Sequence, residues 1–267
     1  MVVPTRNSSR TVAACLASVR AQTYSDVELV VVDNHSTDAT RALAERFADR
    51  VIVEGPERSN QRNLGASAST GEFLLFVDSD MVLSTRVVEE VVDAFVTSPH
   101  MRALVIPERS VGEGFWARCR ALEKELYVGD PNVEAARAFR RSAFVEVGGF
   151  DERLVGVEDW DVAERVAKAP ENLGRVAASI VHDEGRLRLR QDLGKKVYYG
   201  RTAYIYAREH PNRIAGRILR MSFLRGWRLL ARKPVLTAGL MALRTLETGA
   251  VLAGAASSVL GNKPAKA

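Results

Sequence analysis

Two carboxylates, Asp78 and Asp80, close an unbroken apolar run from Phe73 to Val77. A run of that kind with polar residues at its end reads as a strand buried on both faces. In an open parallel sheet, ligands bind beyond the carboxyl ends of the strands. Both acids therefore belong at the lip of a crevice. Carboxylates this close repel unless a cation or a proton lies between them. Hard oxygen donors select Mg²⁺ or Mn²⁺, and such ions commonly bridge to phosphate. The plainer reading is an Asp-rich turn before a helix capped by Ser84. A third acid, Asp33, closes the apolar run Leu29 to Val32. Further on, Glu158-Asp159-Trp160-Asp161 opens a helix, where the macrodipole favours acids whether or not they do chemistry. His182 follows another apolar strand, and a histidine there is either structural or a ligand.

The elements that must carry these groups can be read in order. Residues 2–5 make a short first strand ending in Pro4-Thr5. Ser9 to Gln22 reads as a helix, with Val12, Leu16 and Val19 at helical spacing. Glu28 to Asp33 is the next strand. The turn Asn34-His35-Ser36-Thr37-Asp38 follows, in which Ser36 or Thr37 can cap a helix over 39–48. Then come a strand at Val51–Val53, a helix from Asn60 to Ser69 and the strand that ends at Asp78. A helix capped by Ser84 follows, and then a strand over Ala103–Ile106. Strands alternating with helices predict an α/β fold with a mostly parallel sheet. No Gly-x-Gly-x-x-Gly follows the first strand and no Gly-x-x-x-x-Gly-Lys-Ser/Thr is present, which counts against dinucleotide and P-loop folds. In the second half, Glu113 to Tyr127 and Glu158 to Ala169 read as helices. Ala135 to Arg140 and Arg175 to Val181 read as strands, Ser142 caps a short helix, and the last strand delivers His182 at its end.

Taken together these pieces resemble the family 2 glycosyltransferases of the GT-A fold. The pieces are Val3-Pro4-Thr5-Arg6-Asn7, Gln22-Thr23-Tyr24, Glu28 to Asp38, Arg62-Asn63-Leu64-Gly65, Gly71-Glu72 to Asp80, Gly148-Gly149-Phe150-Asp151-Glu152 and Glu158-Asp159. They occur in the family's order over residues 2–185. A lone Asp-x-Asp is common by chance, but the ordered set is specific. The resemblance implies transfer of a sugar from a nucleoside diphosphate donor to an acceptor hydroxyl, with inversion. It implies that Pro4, Thr5 and Asp33 line the nucleoside pocket. Asn34 stands where the family often has a second acid. It implies that Arg62 and Asp78 meet the donor and that Asp80, with His182, holds a divalent cation, Mn²⁺ or Mg²⁺. Asp159 is implied as catalytic base, beside Glu158. Trp160 is either a wall for the acceptor or a core residue.

Composition is globular, with 46% hydrophobic and 27% charged residues. Cys15 and Cys119 show no pairing pattern, and no secretory signal opens the sequence, so a reduced, cytosolic setting is expected. The net charge of +5 is uneven. Residues 186–233 hold 14 Lys/Arg against Asp192 and Glu209, leaving the rest of the chain at −7. From Arg213 to Lys233 a helical wheel puts Arg213, Arg217, Arg220, Arg225, Arg228 and Arg232 on one side. Ile218, Leu219, Phe223, Trp227, Leu229 and Leu230 lie on the other. Such a helix suits an anionic membrane interface, or packs on the protein with its arginines solvated. Residues 235–260 are apolar enough to span a bilayer, but Arg244 and Glu247 near the middle favour an interfacial or protein-packed helix.

The expected organisation is a GT-A catalytic domain over 1–190 and a basic and apolar helical tail over 191–267. The expected partners are a nucleoside-diphosphate sugar, a lipid-linked or cell-envelope glycan acceptor and the inner face of the cell membrane, rather than nucleic acid. Two other readings compete. One is a binding module with a relict sugar-nucleotide site. The other is a nucleotide-sugar pyrophosphorylase, which needs a Gly-rich basic loop that Pro4-Thr5-Arg6-Asn7 does not supply.

Overall fold

A computed structural model describes residues 1–130, 133–209 and 222–261. The chain divides into two compact units. The first comprises Met1–Glu108, Ala135–Glu152 and Glu158–Asp183, and the second Arg109–Glu134, Arg153–Val157 and Glu184–Ala267. This division does not follow one cut at 190, because two stretches that precede it, Arg109–Glu134 and Arg153–Val157, group with the tail.

The first unit is built on a sheet. Strand β1 (Val2–Thr5) pairs in parallel with β2 (Val30–Asp33), and β2 with β3 (Arg50–Val53). All four residues of β1 are buried and in register, Val2 with Val30 through to Thr5 with Asp33. A parallel bridge from Val2 to Phe76 attaches the end of β4 (Phe73–Leu75). Beyond it the sheet changes direction. Strand β8 (Ala136–Arg140) runs antiparallel to β4 and to β6 (Ala103–Val105), and β9 (Leu173–Arg175) runs parallel to β6. Helices cover both faces, as β-branched runs buried on two sides require. They are α1 (Val12–Arg20), α2 (Thr40–Ala44), α3 (Arg58–Ala68), α4 (Val87–Thr97), α6 (Arg141–Glu146) and α7 (Glu158–Ala167). Val3, Leu16, Val31, Val77 and Val91 belong to the core on one face, and Val2, Phe76, Phe139, Phe144 and Val162 to that on the other.

Several local expectations fall differently. The segment expected as one strand over 175–181 is two: β9 ends at Arg175, and β10 (Ile180–Arg186) begins after a turn. His182 is therefore third in β10, not at its end. There it pairs with Met81 of β5 (Met81–Leu83) in antiparallel register. None of the expected serine caps forms. The cap of α4 is Arg86, and Ser84 Oγ instead accepts from Ser179 N at 3.2 Å. The cap of α2 is Ala39, because Asp38 takes the free Thr40 N–H at 3.0 Å while Ser36 turns to Asp33. Ser142 lies inside α6, which is capped by Arg140.

The second unit contains β7 (Glu108–Glu113), apart from Glu108 itself, and a set of helices. These are α5 (Gly114–Tyr127), α8 (Leu189–Glu209), α9 (Ser222–Arg225), α10 (Trp227–Arg232) and α11 (Pro234–Gly261). The expected continuous helix from 213 to 233 is interrupted at Gly226, and its part up to residue 221 lies outside the described residues. Helix α11 packs on α8 and α5. Leu240 and Leu243 meet Cys119, Leu122 and Leu126, and Phe223, Leu229 and Leu230 join them. The charges expected to make a bilayer position costly find partners here. Arg244 Nε lies 3.2 Å from Glu123 Oε1, and Glu247 accepts a bond from Arg120.

Candidate active site

The ends of β1 and β2 bring Thr5 and Asp33 side by side. Thr5 Oγ1 donates to Asp33 Oδ1 at 2.9 Å, and Ser36 reaches back, N to Oδ2 at 2.9 Å and Oγ to Oδ1 at 2.5 Å. Pro4 is buried opposite Val32. Asn34 is engaged within the protein: its Nδ2 donates to the Pro56 carbonyl at 2.7 Å. The loop after β1 and the loop after β2 are clasped, with Asn7 Oδ1 accepting from Thr37 N at 2.8 Å and Asn7 N donating to Ser36 Oγ at 2.8 Å. Asn7 and His35 adopt φ of 48° and 47°, a region that Asn and His tolerate better than most residues.

Arg62 is the centre. Gly65, three residues on, lets α3 lie close against the sheet, since a Cβ there would meet Val2 Cγ1 at 2.3 Å. Gln61 Nε2 pins the helix to the strand ends, donating to Thr5 O at 3.0 Å and Val32 O at 2.6 Å. Arg62 is wholly buried. Its Nη2 donates to Asp78 Oδ1 and its Nη1 to Asp159 Oδ1, both at 2.7 Å, and Glu158 Oε1 lies 3.6 Å from Nη1. The guanidinium lies 5.1 Å from the centroid of the Phe150 ring. Asn63 brackets that ring's backbone, accepting from Phe150 N and donating to Phe150 O, each at 2.9 Å. The Gly148-Gly149 turn before it needs φ of 75° and 73°, which glycine adopts freely.

The electrostatics follow from burial. Burial alone would push the Asp78 carboxyl up, but Arg62, Arg137 and Arg58 outweigh it and hold Asp78 well below the usual carboxylate range. Glu158 goes the other way. Burial and the neighbouring Asp159 push it up, against Arg58 and Arg62. Glu158 Oε2 is buried without a hydrogen-bond partner. Burial, with Asp80 and Asp78 nearby, pushes the Cys15 thiol up to about 12, so it stays protonated behind the acids.

Asp80 and His182 face each other where β5 meets β10. His182 Nε2 lies 3.3 Å from Asp80 Oδ2, and Asp183 N donates to Asp80 O at 2.8 Å. Asp80 Oδ1 is buried with no hydrogen-bond partner. A carboxylate with one oxygen orphaned and the other beside an imidazole nitrogen fits a divalent cation such as Mn²⁺ or Mg²⁺. Among the described residues no cluster of three His, Cys, Asp or Glu groups forms a ready cage, so further ligands would come from a diphosphate and water.

The structure thus brings Asp78, Asp159, Glu158 and Arg62 into one network, Thr5, Asp33 and Asn34 into a second, and Asp80 and His182 into a third. Trp160 is half-buried on the first turn of α7. Sequence reasoning missed three charged neighbours. Arg58 Nε lies 3.6 Å from Glu158 Oε1. Arg137 Nη1 lies 3.5 Å from Asp78 Oδ2, and Arg137 Nε donates to Glu108. The signal for Arg137 was available: an arginine set between Ala136 and Ala138 in a core strand needs a buried counter-charge.

Strand order and helix placement together define a GT-A fold. The chain belongs to glycosyl transferase family 2: residues 1–150 match "Glycosyl transferase family 2", and residues 128–212 match "Glycosyltransferase like family 2". It is 27% identical over 254 residues to a pre-mycofactocin glycosyltransferase of Mycobacterium tuberculosis, covering 86% of this chain and 52% of that protein. The chain thus spans about half the length of this curated relative. A PGL/p-HBAD biosynthesis glycosyltransferase of Mycobacterium bovis is 29% identical over 178 residues, covering 64% of this chain and 70% of that one. Among solved structures, the mannosyltransferase PcManGT of Pyrobaculum calidifontis, in complex with GDP-Man and Mn²⁺, superposes with a TM-score of 0.65 at 19% identity, over 98% of this chain and 87% of that one. S. aureus TarS 1–349 with UDP-GlcNAc gives 0.57 at 20% identity, over 97% and 91%.

Proposed function

We propose that this chain moves a sugar from a nucleoside-diphosphate sugar to a hydroxyl of a lipid-linked or cell-envelope glycan, with inversion at the anomeric carbon. The observation that carries this is the forked grip of buried Arg62 on Asp78 and Asp159. It couples a donor-side acid to a carboxylate that is still one-third exposed. Pro4, Thr5, Asp33 and Asn34 line the nucleoside side, and Asp78 faces the ribose and sugar. Asp159 removes the acceptor proton as the acceptor oxygen attacks the face opposite the diphosphate. Arg62 holds Asp159 by Oδ1, so Oδ2 is the oxygen available to the acceptor. Trp160 offers an apolar wall beside it. A divalent cation bound by Asp80 and His182 would act as a Lewis acid on the departing diphosphate. The relatives' names, and the GDP-Man, UDP-GlcNAc and Mn²⁺ in the neighbouring structures, support the donor class and the cation.

The 1–190 stretch supplies this site, and the tail is the candidate for a peripheral contact with the anionic inner face of the cell membrane. Trp227 and Leu224 are 60% and 66% exposed, beside exposed Arg225, Arg228 and Arg232. Helix α11 has a stretch, Pro234–Ser258, long and apolar enough to cross a membrane by length and composition. Incubating the protein with Mn²⁺, UDP- and GDP-sugars and a membrane lipid extract tests the reaction. A glycolipid whose new linkage is inverted by NMR supports it, and Asp159→Asn should lower turnover by about 10²–10⁴-fold with donor binding intact. A retained anomer, or a fully active Asp159→Asn, would sink the assignment.

A further inference from the structure

We propose that Glu108 is the positioning residue of the cation site, and that Arg137 anchors it there. This rests on the reading that Asp80 and His182 hold the cation. His182 presents two nitrogens to two carboxylates: Nε2 lies 3.3 Å from Asp80 Oδ2, and Nδ1 lies 3.9 Å from Glu108 Oε2. At 3.9 Å the second contact is electrostatic rather than a hydrogen bond. An imidazole that ligates through Nε2 keeps its proton on Nδ1. A carboxylate facing Nδ1 favours that tautomer and fixes the ring's direction. Glu108 does not float. Its Oε1 accepts from Arg137 Nε, and Arg137 in turn lies against Asp78. Only 18% of the Glu108 side chain and 11% of the Arg137 side chain are exposed.

The result is one line of alternating acidic and basic groups: Asp159, Arg62, Asp78, Arg137, Glu108, His182, Asp80. Every link is an ion-pair distance, and the line runs from the carboxylate proposed as base to the carboxylate proposed as metal ligand. Asp78 and Glu108 are the two acids inside the line, and of these Glu108 is the one that faces His182. It sits at the start of β7, while Asp80 precedes β5 and His182 lies in β10. The orientation of His182 is therefore set from outside the two strands that carry the Asp80–His182 pair.

The test is Mn²⁺ binding to the full chain, followed by loss of the free-ion EPR signal, with excess UDP and again with excess GDP. Wild type is compared with His182→Ala, Glu108→Gln, Arg137→Met and the Glu108→Gln/Arg137→Met pair. We expect Glu108→Gln to weaken Mn²⁺ binding by about 10–100-fold, and the double variant to stay weak. The double variant removes the buried Arg137 charge together with its partner. An effect due only to stranding Arg137 would be relieved in it. Unchanged Mn²⁺ affinity in Glu108→Gln, or recovery in the double variant, overturns the proposal. Should Glu108→Gln fail to melt cooperatively, Glu108→Asp keeps Arg137 compensated while withdrawing the carboxylate from His182. Wild-type affinity in Glu108→Asp overturns the proposal equally. Wild type that binds no Mn²⁺, or His182→Ala that binds as well as wild type, would instead remove the cation reading beneath it.

Discussion

Arg62 has no exposed surface and three carboxylates within ion-pair distance. Removing a buried charge from such a set strands its partners. Arg62→Met is therefore expected to cost about 3–5 kcal/mol in urea unfolding. Arg62→Lys should fold better but lose turnover, because an ammonium cannot fork between Asp78 and Asp159. The acids around Arg62 also give the fold a pH signature. Asp78 is held below its unfolded value, so its stabilisation is complete above that value and is lost as pH falls through the folded one. Glu158 is raised, so its contribution is complete below its unfolded value and is lost as pH rises through the folded one. Glu158→Gln should accordingly gain thermal stability over wild type as pH is raised from 5 to 8, and a constant gap across that range would contradict this. Much of this residue layer was legible. Asp33, Asp78, Asp80 and Asp159 announce themselves by closing apolar runs or opening a helix. Arg58 and Glu108 do not, because only the fold brings them to their partners Glu158 and Arg137, whereas Arg137 is hinted at by an arginine set in an apolar strand.

At the scale of elements, α3 does the positioning. It carries Gln61, Arg62 and Asn63, which in turn hold the strand ends, the acids and the Phe150 loop. Gly65 allows it to sit where it does. Gly65→Ala would drive a Cβ into Val2 and should cost about 1–3 kcal/mol in thermal or urea unfolding. It should also weaken donor binding, since Arg62 rides on the same helix. Unchanged stability would mean that α3 can shift freely. In the helical unit, Gly200 and Gly254 play a similar part. A Cβ on either would meet backbone oxygen of the facing helix, at 2.2 Å from Val251 O and 2.0 Å from Val197 O. Strands were readable from their β-branched runs, as at Val30–Asp33. The helix starts assigned to serine caps were not, because Ser36 and Ser84 serve as partners to Asp33 and Ser179 instead of capping. Likewise β9 and β10 read as one strand because the turn between them, at Ala177-Ala178-Ser179, carries no Gly or Pro.

For the whole molecule, charge is divided as the sequence suggested, with a basic tail and an acidic site. Part of the expected amphipathic face is spent internally. Phe223, Leu229 and Leu230 pack on α5, while Trp227 and Leu224 remain outside with the arginines. The full chain is expected to cosediment with phosphatidylglycerol vesicles and to be released by high salt. Replacing Arg225, Arg228 and Arg232 with alanine should lower that partitioning on the order of a hundredfold, at about 1 kcal/mol per basic residue. Equal binding to neutral and anionic vesicles would contradict an electrostatic contact. The central claim is a cation-dependent nucleotide site, and calorimetric titration of UDP, GDP and dTDP tests it most directly. Each is titrated with Mn²⁺ and with EDTA, into wild type and Asp80→Ala. At least one nucleotide is expected to bind with Mn²⁺, and that binding to be lost with EDTA and in Asp80→Ala. Binding that is indifferent to both, or absent for all three nucleotides, would contradict it.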